Sequence, residues 1–206
     1  MDNEETYDHY NIEVGNDTVQ TLVTNSPGMV DSWIAKIERI HRRRLNRLVV
    51  GLDIEWRPNF RRGQSNPVAL LQLCVGRRCL IFQILHAPNF PDSLTQFLGD
   101  GNYTFVGAGV YKDAERLASE LDVDVTTCVE LGALAVEASG GDRRLKNAGL
   151  KGLAREFLEM NLEKPREVQL SKWDARWLTL DQVQYACTDA FVSFEIGRVL
   201  EAWKAS

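Results

Sequence analysis

The stretch Leu48-Val49-Val50-Gly51-Leu52-Asp53-Ile54-Glu55-Trp56 decides how the rest of the chain is read. Apolar and β-branched residues fill most of it, which marks a strand, yet two acids stand in it at i and i+2. Strand geometry sends Asp53 and Glu55 to the same face. Two carboxylates side by side in an apolar strand are expensive in desolvation and repulsion unless a cation is present. The pattern therefore favours a metal site over a salt-bridged structural pair, and an oxygen-only donor set suits Mg2+ or Mn2+ rather than zinc.

Working outward, two further apolar runs, Val68 to Val75 and Cys79 to Leu85, are joined by Gly76-Arg77-Arg78, a link short enough for an antiparallel hairpin. Pro91 to Leu98 is expected to be a helix, Tyr103 to Ala108 a strand and Asp113 to Leu121 a helix, the alternation of an α/β protein. Helices are also expected over Glu130 to Ala138 and Leu150 to Met160, with Ser139-Gly140-Gly141-Asp142 as a loop between them. Thr179-Leu180-Asp181-Gln182 fits a capping box that opens a long apolar helix running to about Leu200. On the other side, Tyr7 to Val23 reads as a hairpin turning at Gly15-Asn16-Asp17, and Ser26-Pro27-Gly28 as a break. A helix follows from Val30 to about Arg44. Its basic end, His41-Arg42-Arg43-Arg44 with Arg47 beyond, suits the helix macrodipole, a reading favoured over a nuclear-import signal.

With 206 residues, 44% of them hydrophobic and 26% charged, one domain over residues 1–206 is expected, residues 1–27 forming a hairpin-like extension to it. No apolar run is long enough to cross a membrane, and Asp2, Glu4, Glu5, Asp8 and Glu13 occupy the place of a signal peptide, so a soluble, unsecreted protein is expected. Cys74, Cys79, Cys128 and Cys187 form no C-x-x-C pair, and the three histidines, His9, His41 and His86, are far apart in sequence. The cysteines read as small buried hydrophobes in a reducing compartment. A net charge of −5 argues against a protein that coats nucleic acid but not against an enzyme whose acids hold metal ions.

Two more acids stand apart from core chemistry. Asp113 opens a helix after Val106-Gly107-Ala108-Gly109, where an acid alone would serve as an ordinary N-terminal cap. Asp189 lies within the last helix, four residues after Tyr185, so that both project from one helical face. An acid beside Ala190, Phe191 and Val192 is out of place in a packed helix unless a partner such as an arginine meets it.

Leu52-Asp53-Ile54-Glu55-Trp56, then Val106-Gly107-Ala108-Gly109 leading to Asp113, then Tyr185-x-x-x-Asp189 resemble the three motifs of the DEDDy 3'-5' exonucleases. The resemblance is strongest to the Werner-type exonuclease domains and their free-standing plant relatives, and weaker to ribonuclease D. Val68-Ala69-Leu70-Leu71-Gln72-Leu73-Cys74 and Leu170-Ser171-Lys172-Trp173 add to it. It implies a ribonuclease H-like α/β fold, a mixed central sheet flanked by helices with its first strands antiparallel. It also implies a metal-dependent exonuclease that hydrolyses phosphodiesters from the 3' end with two Mg2+ or Mn2+ ions.

By the same resemblance Asp53 bridges the two ions, Glu55 and Asp189 complete the site that activates water, and Asp113 acts on the second ion. Tyr185 orients the attacking water. Trp56, Arg57, Arg61 and Arg62 beside the first motif, and Arg143, Arg144 and Lys146 after the glycine turn, are the expected nucleic-acid contacts. Two divalent ions would offset four of the five excess negative charges. One departure stands out: Werner-type domains carry an aromatic residue shortly after the second-motif acid, where this chain has Ala114-Glu115-Arg116, which puts the preferred substrate in doubt. DNA with a single-stranded or recessed 3' end is the expected substrate, RNA the alternative, and a weakly active binding or scaffold protein on the same fold the competing class. A separate helicase, a homo-oligomer, no membrane, and a nuclear or cytosolic location complete the expectations.

Overall fold

The computed structural model of the chain describes residues 4–59, 63 and 65–205. Its centre is a seven-stranded mixed sheet in the order β1-β2-β5-β4-β3-β6-β7. The strands are β1 (Tyr7–Val14), β2 (Asp17–Thr24), β3 (Leu48–Trp56), β4 (Val68–Val75), β5 (Arg78–Phe82), β6 (Tyr103–Gly107) and β7 (Cys128–Glu130). β3, β4 and β5 pair antiparallel, while β6 and β7 add parallel to β3. The hairpin at the N-terminus is part of this sheet: β1 and β2 pair antiparallel, and β2 lies parallel to β5. All eight residues of β4 are buried, which explains why its sequence is a continuous apolar run rather than an alternating one. This is the mixed, helix-flanked α/β sheet of the ribonuclease H-like fold.

The helices are α1 (Pro27–His41), α2 (Asp92–Gly99), α3 (Val110–Leu121), α4 (Leu131–Ala138), α5 (Gly149–Leu158), α6 (Arg166–Gln169) and α7 (Leu180–Val199). Among the described residues, none is long and apolar enough to cross a membrane. α7 crosses one face of the sheet at very close range. A Cβ added at Gly51 would lie 2.0 Å from the Ala190 carbonyl oxygen, and one at Gly197 would lie 2.8 Å from Val106 Cγ2. Glycine at these two positions lets a helix backbone approach a strand backbone where any side chain would hold them apart. On the opposite face, Phe105 meets Phe97 of α2 edge-on at 5.9 Å, and Phe97 meets Trp33 of α1 at 6.3 Å.

α7 begins as its sequence requires: the Thr179 hydroxyl accepts from Gln182 N–H at 3.2 Å, and the Gln182 side chain accepts from Thr179 N–H at 2.9 Å. Several expected boundaries move: α1 starts at Pro27, inside the expected break, because proline suits the first helical position, and it ends at His41 rather than near Arg44. β5 ends at Phe82, and Ile84–His86 forms a 3-10 turn, because Gln83 turns its amide to the Arg176 carbonyl at 2.9 Å. α3 starts three residues earlier than Asp113, directly after Gly109, whose φ of 102° only glycine adopts readily. Cys128–Glu130 pairs with β6 as a strand before α4 begins, so Glu130 ends a strand instead of opening a helix.

Candidate active site

Asp53 and Glu55 sit in the second half of β3, on the face that α7 covers, and the tight approach at Gly51 brings Asp189 of α7 to them. One carboxylate oxygen from each of Asp53, Glu55 and Asp189 lies within 4.8 Å of the others. Asp189 is buried and the other two are half-buried. Burial and the like charges of Glu55, Asp189 and Asp113 push the Asp53 carboxyl well above the ordinary carboxylate range. Glu55 is pushed up to about 8, mainly by burial, then by Asp189. Asp113, in the first turn of α3, is outside the tight trio but close enough to act on both β3 acids. Burial and the nearby Glu130 raise it to about 7. Glu130 also fixes the turn that presents Asp113, since its carboxylate accepts from Gly109 N–H at 2.8 Å.

Among the described residues, one cation contacts the tight trio. Lys164, in the segment between α5 and α6, places Nζ 2.6 Å from Asp189 Oδ2 and 5.1 Å from the centre of the Tyr185 ring. Burial alone would lower its pKa, but the carboxylates of Asp189 and Asp53 raise it, so the ammonium stays charged. Sequence reading anticipated that a basic partner would make Asp189 ordinary. It did not find Lys164, because the contact spans 25 residues and carries no local spacing signal. The ammonium compensates one of three clustered carboxylates.

Tyr185 is held from three sides. Its hydroxyl accepts from Gln169 Nε2 at 2.8 Å, its ring packs on buried Trp173 with centroids 5.8 Å apart, and Lys164 stands over its face. Trp173 Nε1 donates to the Gln169 carbonyl at 3.1 Å, and Gln182 Nε2 donates to Ser171 Oγ at 2.9 Å. These bonds explain why Leu170-Ser171-Lys172-Trp173 accompanies the catalytic motifs: it fixes Gln169, which fixes the phenol. Burial, then Asp189, raises the Tyr185 hydroxyl to about 12, so it is a proton donor at neutral pH.

The donor set suits a hard divalent cation. It is all oxygen and carries more negative charge than its single ammonium balances. On the neighbouring strand Gln72 stands directly across from Asp53, fully buried, with neither its amide nitrogen nor its amide oxygen bonded. Buried polar groups are normally satisfied, so the inner wall of the site has unmet hydrogen-bonding capacity next to its central carboxylate.

The expected nucleic-acid contacts fare differently. Arg57 pairs with Asp174 at 3.1 Å, and Arg144 grips Asp142 at 2.6 Å. Trp56 has the Arg116 guanidinium stacked 4.2 Å from its ring centre, so one ring face is already covered. Arg143 and Lys146 are exposed in a 3-10 turn, Arg143–Asn147, without an ion pair among the described residues. Arg61 and Arg62 lie outside the described residues.

Clustered carboxylates from β3 and α7, with Asp113 at the start of α3 and a tyrosine on α7, all on a ribonuclease H-like sheet, fit the carboxylate-centred class of nucleases. The family described as 3'-5' exonuclease matches residues 30–202, and the chain belongs to it. A 3'-5' exonuclease of Arabidopsis thaliana is 36% identical over 154 residues, 74% of this chain and 52% of that protein. The bifunctional 3'-5' exonuclease/ATP-dependent helicase WRN of Mus musculus is 35% identical over 152 residues, 72% of this chain and 10% of that protein. The chain thus spans about half of the first relative and a tenth of the second. Among solved structures, the EXD2 exonuclease domain aligns with a TM-score of 0.50 at 28% identity, over 90% of this chain and 91% of that one. Escherichia coli RNase D, at 20% identity, shares the fold with a TM-score of 0.66 over 85% of this chain and 43% of its own.

Proposed function

We propose that the chain removes nucleotides from the 3' end of DNA, releasing nucleoside 5'-monophosphates, with two Mg2+ or Mn2+ ions held by Asp53, Glu55, Asp113 and Asp189. The observation that carries this reading is the trio of mutually close carboxylates on β3 and α7, too acidic a cluster for one lysine to neutralise. Divalent ions held there supply a nucleophilic water at neutral pH and relieve charge on the departing oxygen. Asp53, Glu55 and Asp189 would hold the ion that supplies the attacking water, and Asp53 with Asp113, set apart on α3, would hold the second, which would relieve charge on the leaving oxygen. Tyr185 keeps its proton and donates it as a hydrogen bond, so it orients the attacking water rather than deprotonating it.

The four thiols are free, three of them buried, which suits a reducing compartment, nucleus or cytosol. The relative that joins an exonuclease to a helicase in one name supports a separate helicase as a working partner for this chain. DNA rather than RNA is the finer part of the proposal. It is tested by timing hydrolysis of matched single-stranded DNA, recessed-end duplex DNA and RNA under identical Mn2+. Faster loss of the DNA 3' nucleotides supports it, and faster loss of RNA makes the chain an exoribonuclease with the same site.

A further inference from the structure

One group of arginines stands well away from the clustered acids. At the other end of β3, around Leu48 and Val49, a groove of about 1260 Å³ runs between the end of α1, the β4–β5 turn and the end of α7. Arg44, Arg47, Arg77, Arg78 and Arg198 line it, against the acids Asp17, Glu195 and Glu201. Two of the arginines are spoken for: Arg77 pairs with Asp17, and Arg198 with Glu195 at 2.7 Å. Arg44 leans on the His41 ring at 3.3 Å, Arg78 donates to the neutral Gln20 amide, and Arg47 has no ion pair among the described residues. Burial first, and then the guanidiniums of Arg44 and Arg78, push His41 below its ordinary pKa.

We infer that this groove binds the phosphate backbone of a single-stranded stretch of the same nucleic acid, on the 5' side of the nucleotide being removed. The inference rests on the nuclease reading above for the identity of the polymer. Guanidinium is the side chain that matches phosphate with paired donors, and the groove is built from arginine with no lysine in its lining. At about 1260 Å³ it exceeds the roughly 300 to 1,000 Å³ typical of small-molecule sites. Ile40 and Val199, at 47% and 43% exposure, add apolar surface on which sugars and bases can rest. The five residue steps from Leu48 to Asp53 cover about 17 Å of strand, so a substrate must be several nucleotides long to reach both places. In a chain with net charge −5, three neighbouring arginines without ion pairs among the described residues, Arg44, Arg47 and Arg78, attract a polyanion and set how it lies.

The test compares the wild type with the triple variant Arg44→Gln, Arg47→Gln, Arg78→Gln and with the exposed single variant Arg47→Glu, which is free of ion pairs to disturb. A dinucleotide and an oligonucleotide of about 20 nucleotides serve as substrates. Binding of the longer strand is read by fluorescence anisotropy in EDTA across a salt series, with no cleavage. The triple variant should bind it at least about tenfold more weakly, with the log–log salt slope reduced by about 2, near 0.7 per lost phosphate contact. Arg47→Glu should weaken it too, and both variants should cleave the dinucleotide at the wild-type rate. Unchanged affinity and salt slope would overturn the inference. So would a polyglutamate peptide that competes as well as nucleic acid of equal charge, since the groove would then be made for an acidic protein segment. Failure of the wild type to cleave the dinucleotide with Mn2+ would instead count against the nuclease reading, while the binding series still decides the groove.

Discussion

Tyr185 and Lys164 are the side chains whose roles separate most cleanly by substitution. Tyr185→Phe keeps the ring on Trp173 and removes only the hydroxyl, so cleavage should fall by roughly 100-fold, the scale of one lost transition-state contact. Mn2+ affinity measured by calorimetry should be unchanged. Lys164→Met removes the ammonium that sits on Asp189 and leaves that buried carboxylate without its counter-charge. In EDTA the variant should unfold with a loss of roughly 3 kcal/mol, while its Mn2+ affinity rises, because the cation no longer competes with an ammonium for the same oxygens. Weaker Mn2+ binding by Lys164→Met would mean that the lysine supports the ions instead of standing in for one. The raised carboxyls also fix the sign of the pH dependence. Folded Asp53 and Glu55 hold protons that the unfolded chain, with ordinary carboxylates, has released. In EDTA, stability is therefore fully present below about pH 4, where both states are protonated, and is lost as the pH rises through the folded Glu55 value of about 8. Melting in saturating Mn2+ should remove that loss, since the ion binds the native carboxylates in their charged form.

At the level of elements, the site depends on how closely α7 lies on β3. Gly51→Ala puts a Cβ against the Ala190 carbonyl oxygen, so the helix must move outward. Stability should fall by about 1 to 3 kcal/mol or more, and cleavage should fall further than stability accounts for, because Asp189 moves with the helix. Gly28→Ala, whose added Cβ meets nothing nearer than 3.9 Å, serves as the control. Much of this was legible beforehand. β3 and β4 have the bounds their apolar runs give, and the capping box starts α7 at the expected residue. Asp53, Glu55 and Asp189 were readable because an acid in an apolar strand or helix violates the local pattern. Lys164, Gln169 and Glu130 violate nothing: a lysine, a glutamine and a glutamate near chain turns look like solvated surface, and only tertiary contact gives them work. Gln72 escaped as well, since its neighbours already explained a buried strand. β7, with three residues, is too short for any periodicity to show.

Three carboxylates cluster at one end of β3, and the groove at its other end sets five arginines against three acids. On the proposed reading, that separation answers the tension between a net charge of −5 and a polyanionic substrate, with attraction in the groove and divalent ions reversing the sign at the point of cleavage. The central claim is that the clustered acids are a metal-dependent 3' cleavage centre. It is tested most directly by incubating 5'-labelled single-stranded DNA with wild-type protein in Mn2+ or in EDTA, beside Asp53→Ala in Mn2+. The account requires a ladder shortening from the 3' end with wild type and Mn2+, none in EDTA, and at least about a 100-fold slower ladder with Asp53→Ala. A ladder that persists in EDTA, or an Asp53→Ala protein that cleaves like wild type, would contradict it.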